Sequence, residues 1–244
     1  MIKVSCVNIF EKVIIMKKTE EKIKLYSAWY CPFAQRAWLS LLVNKRDFKY
    51  IEIDPYNKTE EWMRISKGFG TAPVVIEDET TLVDSLDILK YFDNPKTGTN
   101  YSPEIEETLS FINKDLIPSF YRFLKATNDE DLKKTRAEFT IFLNKFSNEI
   151  NEKGQYYLGQ NFSIVDLAFI PFAYRIDLLL RHYKEYIVAK EVKNFARYQQ
   201  WYEAIIKAEF FKETKTGMDN YDEELINFYK VYSEGGGQED VTKS

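Results

Sequence analysis

The chain has 244 residues, 45% hydrophobic and 30% charged, with a formal net charge of −4. That length can bury a large core as one large domain or two small ones, and the composition is that of a soluble globular protein. The mild acidity gives no electrostatic reason to expect nucleic acid or an anionic membrane as partner, and two cysteines without a framework of spacings point to a reducing compartment, with the cytoplasm as default.

Met1 to Lys18 is apolar in flavour, but Glu11 and Lys12 break the run and no small-residue cleavage pattern follows. Residues 1–22 therefore read as an N-terminal extension, with Met16 a second candidate start. No segment reaches the ~18 uninterrupted apolar residues of a membrane span; the longest candidate, Ile164 to Tyr174, is short and carries Asp166.

Ile23 to Ala28 reads as a first strand running straight into Cys31-Pro32 and a helix over Phe33 to Lys45. Pro32 suits the first helical position, where a missing N–H costs nothing, and this makes Cys31 the N-cap. The unpaired amides and dipole of a helix start favour thiolate over thiol, so Cys31 is expected to titrate below the ordinary ~8.5 and to act as a nucleophile. The position three residues on is Ala34, so no dithiol pair can close here. The single histidine, His182, is remote, and two separated cysteines with one histidine make no zinc site.

Phe48 to Asp54 reads as a second strand, completing a parallel β-α-β unit. Thr59 to Lys67 can form a short helix carrying Trp62 and stopped by Gly68 and Gly70. Thr71 to Glu77 is a strand opening on Pro73, which has no N–H for a ladder and so suggests a cis peptide turned toward a ligand. It pairs as a hairpin with Thr80 to Val83. Asp84-Ser85 then precedes a helix over Leu86 to Phe92; the pair either caps that helix or, beside a pocket, receives a carboxylate.

Residues 94–102 are rich in turn formers and read as a linker between domains at 23–93 and 103–234. Everything beyond is helical in pattern: Pro103 to Leu124, then Asp129 to Lys153 with a stripe through Leu132, Phe139, Leu143, Phe146 and Ile150. Ser163 with Asp166 has the form of a capping box opening a helix to about Tyr183. Phe195 to Ala208 and Glu223 to Tyr232 complete a bundle, and residues 235–244 are expected to be disordered.

An α/β half with cysteine at its first helix, proline opening its third strand and an acid-Ser pair at its third helix resembles a thioredoxin-like domain. Joined to an all-α C-terminal bundle, it resembles a cytosolic glutathione transferase. Cys31-Pro32-Phe33-Ala34-Gln35-Arg36 and the stretch from Trp62 through Gly68-Phe69-Gly70-Thr71-Ala72-Pro73-Val74 resemble the omega class, whose catalytic residue is cysteine. The likeness covers about Ile23 to Tyr232.

The resemblance implies glutathione as co-substrate, no bound cofactor or metal, and commonly a homodimer. It implies that Cys31 forms a mixed disulfide with glutathione and that Phe33 flanks the sulfur. Ala72, ahead of cis-Pro73, would pair with the cysteinyl backbone of the tripeptide, Ser85 would take its γ-glutamyl carboxylate and Asp84 its ammonium. Phe172 and Arg175 match positions lining the family's acceptor pocket, and Tyr221 and Phe228 fall where its C-terminal lid lies. Asp84 is one methylene shorter than the usual Glu, and a family lysine near the glycine carboxylate is Thr59 here, leaving Lys58 as the substitute. The implied activity is glutathione-dependent thiol transfer or reduction, of a glutathionylated acceptor or of dehydroascorbate. Two other readings predict different behaviour: a chloride-intracellular-channel-like protein, which shares the fold and motif, would insert its first helix region in membranes, and a non-catalytic ligand-binding relative would have an unreactive thiol.

Overall fold

The computed structural model describes residues 22–93 and 102–241. The readings made for the extension at 1–21 and for Cys6, for the linker at 94–101 and for the last three residues lie outside the described residues.

The N-terminal half is a four-stranded sheet in the order β2-β1-β3-β4. Strand β1 (Ile23–Ser27) runs into α1 (Pro32–Val43) and then into β2 (Phe48–Glu52), which lies parallel to β1; α2 (Glu60–Ile65) follows. Strand β3 (Val74–Glu77) is antiparallel to β1 and forms a hairpin with β4 (Thr80–Leu82), after which α3 (Ser85–Phe92) closes the unit. This is the expected thioredoxin-like order.

Alternation along β1 decides its faces. Ile23 and Leu25 are buried in one cluster with Ala37, Trp38 and Leu41 of α1 and Ile88 and Phe92 of α3. Tyr26 points the other way and packs its ring on Trp62 of α2 at 6.1 Å. Thr59 caps α2 by accepting from the Trp62 amide at 3.1 Å, so it serves the helix start.

The C-terminal half is helical. Helix α4 (Pro103–Phe111) passes through a π turn at Ile112–Leu116 into α5 (Ile117–Lys125), which packs against the long α6 (Asp129–Glu149). Helix α7 (Ile164–Arg175) continues through a second π turn, Ile176–Leu180, into α8 (Arg181–Lys184). The rest are α9 (Val188–Glu191), α10 (Phe195–Ile206), α11 (Glu209–Glu213) and α12 (Tyr221–Ser233).

Every residue of α7 is buried, because α1, α3 and α4 cover one side of it and α10 the other. It is the central post of the molecule. Its start is fixed by the expected capping box: Asp166 Oδ2 accepts from the Ser163 amide and hydroxyl, both at 2.7 Å, while Oδ1 accepts from the Tyr157 amide at 2.8 Å and the Trp201 indole at 2.7 Å.

Residues 235–241, in the tail expected to be disordered, fold back on α12, and α13 (Gln238–Val241) is a short helix whose Val241 packs on the main core. Gly235 and Gly236 form a helix stop. Gly235 has φ +92°, its amide donates to Tyr232 O at 3.2 Å, and Gly236 donates to Val231 O at 3.0 Å, which is a Schellman closure.

Candidate active site

Cys31 sits where β1 gives way to α1, as the N-cap with an extended backbone (φ −81°, ψ 117°) and Pro32 at the first helical position. Its amide donates to Ala28 O at 2.9 Å and its carbonyl accepts from Gln35 N at 3.0 Å, so the turn is tied at both ends. The side chain is half-buried, and its thiol donates to Ala72 O at 3.8 Å. The Ala72–Pro73 peptide is cis, as its sequence context suggests.

The cysteine lies on a cleft of about 690 Å³ between the two halves. Cys31, Phe33, Lys58, Ala72, Pro73, Asp84, Ser85 and Phe228 all line it, so residues far apart in the chain converge here. Polar groups of opposite character stand on its walls. Lys58 donates to Gly70 O at 2.7 Å and brings a positive charge. Asp84 caps α3 through Oδ1, which accepts from Leu86 N at 2.8 Å and Asp87 N at 3.1 Å. Ser85 follows in the first turn, and its hydroxyl oxygen accepts from Arg36 Nη1 at 3.2 Å, leaving its own hydrogen to donate to an anion. A zwitterionic ligand with separated carboxylates matches this arrangement.

Arg36 explains part of that order. Fully buried, it donates to Ala168 O at 2.8 Å and Asn113 Oδ1 at 2.9 Å, and its guanidinium stacks over Phe172 at 4.7 Å and Phe33 at 5.2 Å. Burial pushes Arg36 down to about 9, with Asp84 acting against it.

The Cys31 thiol departs from its expected titration. Burial raises it above the ordinary value; the first-turn amides of Ala34 and Phe33 and the guanidinium groups of Arg175 and Arg36 pull it down but do not win. The sulfur's hydrogen-bond partner is a carbonyl, which only the protonated form can use. In the free protein, iodoacetamide labelling of Cys31 should therefore keep rising above about pH 8.5, the ordinary thiol midpoint. A plateau reached below that pH would show that the helix end and the two arginines prevail over burial.

Three residues expected at an acceptor pocket or its lid stand behind the cleft wall. Phe172 and Arg175 are fully buried and Tyr221 nearly so, and none lines the cleft, because α7 is enclosed on all sides and Tyr221 faces the Trp29 ring at 5.9 Å. His182 lies on α8 against Tyr183 and also stays outside the cleft. No cluster of metal-ligating side chains occurs among the described residues.

An aromatic wall completes the cleft, and Phe228 is the one member of it that the sequence singles out. Tyr30 is stacked between Phe228, with centroids 3.8 Å apart, and Tyr56 at 6.1 Å, and Tyr121, Tyr229 and Tyr232 complete the lining. The Tyr56 and Tyr232 hydroxyls approach to 3.4 Å, closing the cleft between the loop after β2 and helix α12. Tyr30 was legible as the residue before the cysteine; among 17 tyrosines, nothing local marks the others.

Comparison with known proteins agrees with this architecture. Residues 25–99 match the family model described as Glutathione S-transferase, N-terminal domain, and residues 101–209 match Glutathione S-transferase, C-terminal domain. The chain is 29% identical over 203 residues to the rice protein IN2-1 homolog A, covering 79% of each, and 28% identical over 219 residues to Arabidopsis thaliana glutathione S-transferase L2, chloroplastic, covering 85% of this chain and 69% of that protein. Among solved structures it is similar to glutathione transferase Omega 3C from Trametes versicolor (TM-score 0.71, 24% identity, 82% of this chain and 91% of that one). It is also similar to the Tau class enzyme of mango (TM-score 0.73, 18% identity, 86% of this chain and 98% of that one). At these identities the two structures speak for the fold.

Proposed function

The chain belongs to the glutathione S-transferase family, whose co-substrate is glutathione, and from that premise we propose that it is a cysteine-type, omega-like thiol transferase and reductase. The observation that carries this reading is Cys31 itself, a half-buried free cysteine at the N-cap position of α1 and lining the cleft, with alanine rather than a second cysteine three residues on.

The chemistry follows from that solitude. The Cys31 thiolate attacks the glutathionyl sulfur of a mixed disulfide, a new S–S bond joins Cys31 to glutathione, and the acceptor leaves as its thiolate and takes up a proton. A second glutathione thiolate attacks the Cys31–glutathione bond, oxidised glutathione departs, and Cys31 is restored. With an oxidised small acceptor such as dehydroascorbate, two glutathione thiols supply the two electrons and leave as oxidised glutathione, while the acceptor takes up two protons.

Cleft residues have assignable parts. The backbone of Ala72 pairs with the cysteinyl unit, whose N–H takes the Ala72 carbonyl that the resting thiol uses, so that binding removes an acceptor favouring the protonated sulfur. Ser85 and the start of α3 hold the γ-glutamyl carboxylate, Lys58 holds the glycine carboxylate, and Asp84 holds the ammonium through Oδ2 while Oδ1 caps the helix. Phe228 and its tyrosine neighbours face the acceptor. Homodimerisation and a cytoplasmic setting, which keeps the thiol reduced, belong to the same proposal.

Asp84 offers a test that separates its two duties. Asp84→Asn keeps an oxygen to cap α3 but removes the charge, and should weaken glutathione binding about tenfold, the worth of one charge-assisted bond. Unchanged affinity in Asp84→Asn would mean that the acid serves the helix alone. The proposal as a whole is tested by assaying the protein with glutathione against a glutathione mixed disulfide, dehydroascorbate and an aromatic halide. Reduction of the first two with little conjugation is expected; conjugation without reduction would overturn it.

A further inference from the structure

Arg175, at the C-terminal end of α7, is fully buried behind the wall that carries Cys31. Its Nη2 donates to Tyr30 O at 2.8 Å, and Nη1 donates to Gln35 Oε1 at 2.7 Å and Pro171 O at 2.9 Å, while Nε has no partner among the described residues. None of these hydrogen bonds goes to a carboxylate, and the groups that act on it include the phenols of Tyr221, Tyr229 and Tyr121 and the Cys31 sulfur.

A buried cation without a counter-ion is costly and is retained only where something offsets it. Here its hydrogen bonds converge on the loop that presents the nucleophile. Arg175 and the Tyr229 hydroxyl both donate to Tyr30 O, the latter at 3.4 Å, and the Tyr221 hydroxyl donates to Trp29 O at 3.4 Å. Gln35, one turn into α1, orients the guanidinium and passes the connection on by donating to Thr214 Oγ1 at 2.8 Å, ahead of α12. The helical half thus holds the cysteine loop from behind.

We propose that Arg175 is a positioning residue for the nucleophile: it fixes the Tyr30 carbonyl and supplies the buried positive charge that is compensated when Cys31 ionises. This rests on Cys31 being the nucleophile. When the thiol loses its proton to solvent, the guanidinium gains the anion that the resting structure lacks. Arg36 is the other cation acting on the sulfur; it donates to Ser85, Asn113 and Ala168, and its Nη2 has no partner among the described residues. The phenols of Tyr30, Tyr121, Tyr221, Tyr229 and Tyr232 that face the sulfur are held neutral by burial, and Lys58 and Asp84 are the charged groups that share the cleft with it.

The test is the pH profile of Cys31 alkylation by iodoacetamide, followed by peptide mapping, which needs neither glutathione nor an acceptor. Arg175→Met should move the profile to higher pH by about one unit or more, so that alkylation at a fixed pH on the rising limb slows at least about tenfold. Arg175→Lys should retain most of the wild-type profile. Gln35→Met removes the acceptor that orients the guanidinium without adding a charge, and should shift the profile the same way as Arg175→Met. Unmoved profiles in Arg175→Met and Gln35→Met would overturn the inference; if Arg175→Met fails to fold, Gln35→Met decides alone. A shifted profile in a protein lacking thiol transfer would count against the proposed function and leave the role of Arg175 standing.

Discussion

Cys31→Ser is expected to abolish glutathione-dependent thiol transfer, by about a thousandfold or more, while glutathione still binds. A serine hydroxyl neither ionises near neutral pH nor forms and breaks an S–S bond, so neither half of the exchange can proceed. Binding survives because the cleft's polar anchors, Lys58, Ala72, Asp84 and Ser85, come from other elements and are held by their own contacts, Lys58 to Gly70, Ser85 to Arg36 and Asp84 to α3. A hydroxyl at the head of α1 can also donate to a bound glutathione thiolate, so some gain in conjugation of aromatic halides is expected. Steady-state turnover with a glutathione mixed disulfide, alongside equilibrium binding of glutathione, checks both halves. Full reductase activity in Cys31→Ser would remove Cys31 from the mechanism.

What could be read before the structure was mostly local. Cys31-Pro32 after an apolar strand predicts an N-cap cysteine, Pro73 at a strand head predicts its cis peptide, and Ser163 with Asp166 predicts a capping box, because in each case residues within three positions determine the geometry. The aromatic wall of the cleft carries little such signal beyond Phe228. Helix α7 is apolar on every side and buried throughout, so it shows no period to say which residues face the cleft, and Phe172 and Arg175 stand behind the lining. The sign of the Cys31 shift was hidden for a related reason: the helix end is local and favours thiolate, whereas the burial opposing it depends on residues brought up from elsewhere in the chain. At the C-terminus the lack of apolar residues reads as disorder, whereas Gly235, with its positive φ, closes α12 through bonds that composition does not reveal.

The largest loss of stability is expected at Asp166. Its carboxylate is fully buried and accepts four hydrogen bonds, from the Ser163 amide and hydroxyl, the Tyr157 amide and the Trp201 indole. Those donors come from the loop before α7, from the helix start itself and from α10, so one side chain fastens three segments around the central post. Burial pushes the carboxyl up and the donors pull it back down, which ties its charge to their presence. Asp166→Ala strands all four donors in the interior, and the cost should be about 3–5 kcal/mol, the range for breaking a buried charged network. For a chain of this size that corresponds to a melting point lower by roughly 6–20 °C. Ser163→Ala removes one hydroxyl and leaves the other three donors paired, so it should cost only about 1 kcal/mol. Asp166→Asn should fall nearer to alanine than to wild type, since its amide turns N–H groups toward positions that already hold donors. Urea unfolding followed through Trp201 and the other tryptophans would rank the three variants; an Asp166→Ala protein that unfolds at the wild-type midpoint would show that the network does not hold α7 in place.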